Sequence, residues 1–273
     1  MIKVCFVGSG NIFSKHHVAL KRKKIRNFFN IIGIAEKKRI KNIYNSNIKI
    51  YSNYIKMVKD LKPDLIVIIT ESGNHYKHFI DLSKYCKNFL IEKPVCLNSH
   101  QIKVIKRFQN KNKNNIFVVK QNRFNKSVKF LKKILENKYL GKLFYYDVSV
   151  KWRRDNEYYK NSYWHGTKKL DGNILANQGS HHLDLAISIF GRPKKIQYVS
   201  KKVKKFIEFS DVVSLNLQHK DAIGNIRITT STEPEDLEGK LTIMGTKGFI
   251  RIGGFQMNQI EKIKVKNKSF SKK

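Results

Sequence analysis

No stretch of this chain is apolar for anything approaching the roughly 18 residues that a membrane helix needs. The start, Met1-Ile2-Lys3-Val4-Cys5-Phe6-Val7-Gly8, passes directly into a strand pattern and lacks the apolar region and small-residue cleavage site of a secretory signal. Cysteine is scarce. Cys5, Cys86 and Cys96 are an odd number without metal-ligand spacing, which argues against a disulfide framework and against a bound metal. They read as buried or half-buried thiols in a reducing cytoplasm. Carboxylates are scarce too: 20 Asp and Glu stand against 56 Lys and Arg, a net charge of +36. A basic chain invites a nucleic-acid reading, but the clustered arginines and exposed aromatics that such a reading needs are missing. Lysines run along the whole length together with Asn and Ile, which share AT-rich codons, so codon bias accounts for the composition. A basic surface still attracts a small diphosphate-bearing molecule.

What is present suits a globular chain. A length of 273 residues with 41% hydrophobic and 11% aromatic content is enough for one full core or two smaller ones. The first part alternates strand and helix signals. Ile2–Gly8 is a continuous apolar run, as a buried parallel strand should be. Phe13–Lys24 reads as a helix, Phe29–Glu36 and Leu65–Thr70 as strands, and His75–Lys84 as a helix. Phe89–Glu92 is a short strand, Asn98 or Ser99 caps a helix reaching about Lys111, and Ile116–Lys120 closes the series. Repeated strand–helix units predict a parallel sheet with right-handed crossovers. After Gln121 the texture changes: a helix at Ser127–Asn137, a long strand at Leu143–Trp152, a polar aromatic loop at Arg153–Gly172 and a helix at about Gln178–Phe190. From Ile196 onward, strands alternate with turns, and the lysine-rich tail after Glu261 reads as frayed. The expected fold is α/β: a Rossmann domain over residues 1–120, then an α+β domain over 121–273 with a large, mostly antiparallel open sheet.

The turn Gly8-Ser9-Gly10-Asn11-Ile12-Phe13 follows a strand and opens a helix, the context that a dinucleotide fingerprint requires. Gly8 permits the tight turn and Gly10 lets backbone approach a pyrophosphate seated on the helix N-terminus. Phe13 stands where a third glycine is usual, and a structural turn explains a lone G-x-G about as well. Glu36, at the end of the second strand, is placed to accept hydrogen bonds from ribose hydroxyls and favours NAD. Lys37, Lys38 and Arg39 follow it, and through them a 2′-phosphate, hence NADP, is the alternative.

Glu92-Lys93-Pro94 comes straight after a strand, where ligand crevices of open α/β sheets lie. Asp171-Gly172-Asn173-Ile174-Leu175-Ala176-Asn177-Gln178-Gly179-Ser180-His181-His182-Leu183-Asp184 runs from a Gly-rich loop into a helix. With the G-x-G turn and this Glu-Lys-Pro in order, the chain resembles the glucose–fructose oxidoreductase / inositol dehydrogenase / MocA family over nearly its whole length. Three further stretches are similar to one bacterial branch of that family, which works in lipopolysaccharide and surface-glycan synthesis: Lys120-Gln121-Asn122-Arg123-Phe124-Asn125, Trp152-Arg153-Arg154 with Tyr158-Tyr159 and Trp164-His165-Gly166-Thr167, and Asn177–His182. Members of the branch are similar to UDP-N-acetylglucosaminuronic acid dehydrogenases, which oxidise the sugar's C3 hydroxyl to a ketone that a partner aminotransferase then consumes.

The resemblance implies a sugar or sugar-nucleotide substrate, and Lys93 and His181 at the reacting hydroxyl. Hydride departure makes that hydroxyl's proton acidic, so a base must take it. Burial and the cationic nicotinamide ring are expected to lower the pKa of Lys93. Asn177 stands four residues before His181 where most members have Asp; it can orient the imidazole but cannot stabilise an imidazolium as a carboxylate does. Thr70, His75, Glu92 and Lys93, beside Gly8, Gly10, Asn11, Ile12 and Glu36, are the implied cofactor contacts. Arg123, Tyr159, Trp164 and Thr167, with Asn177, are the implied sugar contacts, while His182 is left out of the chemistry. The resemblance also implies a homodimer or homotetramer paired through the outer face of the second sheet. It implies a C-terminus shorter than the family's, which continues past the strand matching Phe249–Gly253.

Overall fold

The computed structural model describes residues 1–37 and 47–266. The chain divides into two compact units, Met1–Val119 and Lys120–Lys273. Among the described residues, no helix is long and apolar enough to cross a membrane.

In the first unit the elements run β1 (Ile2–Val7), α1 (Phe13–Leu20), β2 (Phe29–Ala35), β3 (Lys49–Tyr51), α2 (Tyr54–Leu61), β4 (Leu65–Ile68), α3 (His75–Leu82), β5 (Asn88–Ile91), α4 (Ser99–Asn112) and β6 (Asn115–Val118). The sheet order is β3-β2-β1-β4-β5-β6. Every pair in it is parallel. This is the nucleotide-binding order, and it reverses direction between β1 and β4, which opens a crevice at their carboxyl ends. Asn98 caps α4 by accepting from the Gln101 N–H, as its position in the sequence predicts. The sequence reading omits β3 and α2. The helix is nonetheless well specified: Asn53 accepts from the Ile55 and Lys56 N–H groups, and Met57 and Val58 are buried. Its apolar stripe, Tyr54, Ile55, Met57, Val58 and Leu61, keeps helical spacing but over only about two turns, too short a run to stand out. Gly33 of β2 admits it, since a Cβ there would lie 2.4 Å from Leu61 Cδ1.

The second unit carries α5 (Lys126–Glu136), β7 (Leu143–Lys151), α6 (Asn156–Lys160), α7 (Ile174–Asn177), α8 (Ser180–Phe190), β8 (Lys195–Lys201), β9 (Val212–Gln218), β10 (Ile223–Thr229), β11 (Glu238–Gly245), β12 (Gly248–Gly253) and β13 (Gln259–Val265). The seven-stranded sheet has the order β13-β12-β11-β7-β10-β9-β8. Only β7 and β10 pair in parallel. Strand alternation puts Tyr146, Val148, Val150, Ile226, Ile228, Leu241 and Ile243 into one buried cluster with Val128, Leu131 and Ile134 of α5 and Leu185 and Ala186 of α8. The other face is polar and laced with ion pairs: Arg227 to Asp147, and Lys151 and Lys240 to Glu238.

The tail departs from the sequence expectation. Residues after Glu261 do not fray at once. Gln259–Val265 forms β13, antiparallel to β12. Its lysines are what an edge strand carries to discourage further pairing, and that same composition reads as a frayed end.

Candidate active site

In the first unit, β1 delivers the chain into Gly8 at φ +96°. A Cβ at Gly8 would stand 2.9 Å from Thr70 Cγ2 and 3.1 Å from the Ile69 carbonyl, so both conformation and space demand glycine. Gly10 differs. A Cβ there would meet no protein atom within 4 Å, so its lack of a side chain answers nothing in the protein's own packing. That fits a position kept clear for a pyrophosphate. Ile12 gives α1 no side-chain cap and the first turn holds no acidic residue, which leaves the positive helix end for an anion. Asn11 lies in this turn, its carbonyl accepting from Ser14 Oγ at 3.1 Å. Phe13, in the third-glycine position, packs edge-on to Phe6 with centroids 5.1 Å apart. The helix therefore meets the sheet through two rings rather than by close backbone approach.

Glu36 Oε2 accepts from the Ser9 N–H at 2.9 Å and the Ser9 hydroxyl at 3.0 Å. Oε1 accepts from the Lys37 N–H at 2.8 Å. The carboxylate is thus fixed beside the fingerprint turn. Lys38 and Arg39 lie outside the described residues.

The turn after β5 is held from several directions. Glu92 Oε1 sits 2.9 Å from His16 Nε2 of α1. Its other oxygen accepts from the Lys93 N–H at 3.1 Å. Burial pushes the Glu92 carboxyl up, but His16 and Lys93 outweigh it and hold the group below its ordinary range. Thr70 Oγ1 lies 3.0 Å from His78 Nδ1. His75, at the start of α3, is 1% exposed and faces the carbonyls of Thr70 and Pro94. The residues predicted to hold the dinucleotide, Gly8, Gly10, Asn11, Ile12, Glu36, Thr70, His75, Glu92 and Lys93, all follow β1, β2, β4 or β5 at the carboxyl edge of one sheet. His16 has no place in the sequence reading; its only signal there is its position one turn into the fingerprint helix.

In the second unit, Asn177 ends α7 and His181 lies in the first turn of α8, so both are carried on nearly continuous helix. The Asn177 amide donates to Asp171 Oδ1. Asp171 is 2% exposed, and its Oδ2 accepts from the Gly166 N–H at 2.9 Å. His182 is buried in the core, with its ring edge-on to Trp152 at 5.7 Å. Burial pushes its pKa down to about 4.

The predicted sugar contacts separate. Arg123 closes a two-bond fork on Asp184, at 2.6 and 2.7 Å, and so ties the turn Gln121–Phe124 to α8. Lys120 Nζ reinforces that link by donating to the Ser180 carbonyl at 3.3 Å. Tyr159 is buried in the core, where burial pushes its phenol up to about 12. Thr167 Oγ1 donates to the Trp164 carbonyl at 2.8 Å and shapes the loop. Trp164 packs on His165 at 4.1 Å, and His165 stacks on Tyr158 at 4.5 Å. Arg154, to which sequence reasoning gave no role, lies over the rings of Trp152, Tyr158 and Phe255 at 5.2, 5.3 and 5.9 Å. The Tyr158 hydroxyl in turn accepts from Gln178, the residue after Asn177, at 3.2 Å. A guanidinium and an aromatic wall therefore stand beside the helix that carries Asn177 and His181. Among the described residues, no group of His, Cys, Asp and Glu is arranged to hold a metal ion.

Comparison with known proteins accords with this anatomy. Residues 2–120 match the oxidoreductase family with an NAD-binding Rossmann fold. Residues 128–251 match the GFO/IDH/MocA C-terminal domain. The WlbA dehydrogenase of Chromobacterium violaceum, solved with NADH and UDP-GlcNAcA, is 28% identical, with a TM-score of 0.90 over 97% of this chain and 78% of that one. The WlbA dehydrogenase of Bordetella pertussis, solved with the same two ligands, is 27% identical, with a TM-score of 0.90 over 97% and 82% of the two chains. The NADP-dependent scyllo-inositol 2-dehydrogenase of Bacillus subtilis is 23% identical over 164 residues, 60% of this chain and 45% of the relative. Fingerprint turn, Glu-Lys-Pro turn and helix-borne histidine together with both domain matches make this chain a member of the Gfo/Idh/MocA family of NAD-binding oxidoreductases.

Proposed function

We propose that this enzyme oxidises the C3 hydroxyl of a UDP-linked N-acetylhexosaminuronate, with NAD as acceptor, in the synthesis of a lipopolysaccharide or other surface glycan. The observation that carries the reading is the likeness, over 97% of the chain, to two dehydrogenases solved with NADH and UDP-GlcNAcA. The site chemistry supports it. A uronate carries a carboxylate beside an apolar sugar face, and Arg154 within its aromatic wall offers a cation and stacking surface of that character. Oxidised nicotinamide, when bound, accepts the hydride.

The protein's own groups do the rest. The first turn of α1 and Gly10 receive the pyrophosphate, and Glu36 receives the ribose hydroxyls. His181 takes the hydroxyl proton, Asn177 fixes the approach of the imidazole, and Lys93 stabilises the oxygen as negative charge develops on it. The product is a 3-keto sugar nucleotide, a substrate for an aminotransferase. The outer sheet face, with its ion pairs, is the surface we assign to pairing into a homodimer or homotetramer.

A second reading, another sugar or cyclitol with NADP, has the scyllo-inositol dehydrogenase in its favour. Following NADH absorbance across UDP-sugars, uronates, neutral hexosamines and free inositols separates the two. Turnover confined to the uronates supports the first, and turnover of inositols with NADP alone supports the second.

A further inference from the structure

His75 offers more than a turn at the start of α3. Its Nδ1 lies 2.8 Å from the Pro94 carbonyl oxygen and its Nε2 2.9 Å from the Thr70 carbonyl oxygen. Both distances fall in the range of real N–H···O bonds. A carbonyl can only accept, and a neutral imidazole carries one N–H, so the second contact would set a nitrogen lone pair against an oxygen lone pair. Turning the ring over does not help. It would bring carbon to those same oxygens at distances well inside the roughly 3.3–3.6 Å of a C–H···O contact.

We propose that His75 is a positioning residue held as an imidazolium, its two N–H groups binding the Thr70 and Pro94 carbonyls and thereby fixing the backbone next to Lys93. The assignment of Lys93 to the reacting hydroxyl belongs to the function proposed above; the charge state of His75 stands apart from it.

A buried cation needs compensation, and the two carbonyls and the nearby carboxylates are what the surroundings offer. The charged and titratable groups around the ring are Glu71 at the mouth of the turn before α3, Glu92 and Lys93 after β5, and His78 one turn along α3. Burial is the larger effect and lowers the His75 pKa, while the two carbonyls and the carboxylates of Glu92 and Glu71 raise it; the imidazolium is assigned from the geometry of two carbonyls that each require an N–H. His78, hydrogen-bonded to Thr70 Oγ1, is held at about 4 and stays neutral, so the pair carries one charge. With both carbonyls bound to one rigid ring, the loop after β4 and the turn after β5 keep a fixed separation. That precision is what a reacting group needs, since a misplacement of about 1 Å can cost about a hundredfold in rate.

The test is made on the full-length, ¹⁵N-labelled protein without substrate. Long-range ¹H–¹⁵N correlation of the His75 imidazole, assigned through bond from its backbone, reports each nitrogen separately between pH 6 and 8. We expect both nitrogens protonated, with two slowly exchanging N–H protons. One bare nitrogen at pH 6 overturns the proposal. The His75→Gln variant tests the positioning role, because both Gln N–H donors sit on one nitrogen and cannot span two carbonyls that two separate ring nitrogens reach. Its kcat should fall on the order of ten- to a hundredfold with the sugar KM held, and unchanged kcat overturns the role. If the wild-type enzyme turns over no sugar nucleotide, the substrate reading falls and the NMR result alone decides the state of His75.

Discussion

The side-chain amide of Asn177 donates to the buried carboxylate of Asp171, which the Gly166 N–H holds from its other side. The family resemblance implies an Asp where this chain has Asn177, and Asp171 supplies a carboxylate in its stead. It stands one hydrogen bond further back, on the loop that leads into α7.

The first prediction follows. Asp171→Asn leaves a buried loop with a mismatched amide pair, at a cost to stability of about 1–3 kcal/mol, and should lower kcat while NAD still binds. Asn177→Asp brings two carboxylates together and must raise the pKa of one of them. Its activity at pH 7 should therefore fall, although the change installs the residue that the family resemblance implies. Kinetics of both variants, with urea unfolding alongside, check this. Full activity of Asn177→Asp would show that Asp171 has no part in the site.

Cofactor choice rests on Glu36. Its carboxylate, held by Ser9, would repel a 2′-phosphate and is placed to accept from ribose hydroxyls. NAD should bind more tightly than NADP in a fluorescence titration, and Glu36→Ala should narrow or reverse the preference. Tighter NADP binding by the wild type would transfer control of the site to the lysines that follow Glu36.

Acid stability is set by buried histidine. His182 is 1% exposed and its pKa falls from the ordinary 6.5 to about 4. Between those values the unfolded chain binds a proton that the folded one refuses, so stability falls as the pH falls from about 6.5 toward 4, by roughly 3 kcal/mol for this residue. His78 acts in the same direction. Carboxylates with depressed pKa values, such as Glu238 at about 2 and ordinarily 4.5, withdraw their stabilisation only below 4.5. Urea midpoints between pH 6.5 and 5 thus isolate the histidines. His182→Leu should flatten the slope, and a wild-type midpoint constant over that interval would contradict the assignment.

Much of this was readable in the residues. The G-x-G turn, Glu36 and the Glu-Lys-Pro turn each follow an apolar run, so the strand-end crevice could be placed from the chain alone. Two kinds of feature stayed hidden. Lysine-rich composition masked α2, β3 and β13, whose apolar periods are short and interrupted by charge. Side chains predicted to meet a sugar turned out to be partnered within the protein: Arg123 with Asp184, Thr167 with the Trp164 carbonyl, and Tyr159 in the core. Such pairings join residues up to 61 positions apart, which no local pattern encodes. His16 and Asp171 were missed for the same reason. Their roles consist of holding Glu92 and Asn177, and a sequence shows neither contact.

The most direct test of the account compares Lys93→Met and His181→Asn with the wild type on UDP-N-acetylglucosaminuronate and NAD. Loss of a general acid or base costs about a hundred- to ten-thousand-fold in rate. Each variant should lose turnover on that scale while still binding NAD, because neither residue is expected to hold the pyrophosphate. The acidic limb of the pH–rate profile should disappear in whichever variant lacks the base. Near-normal turnover in both variants would mean that the chemistry is done elsewhere in the protein.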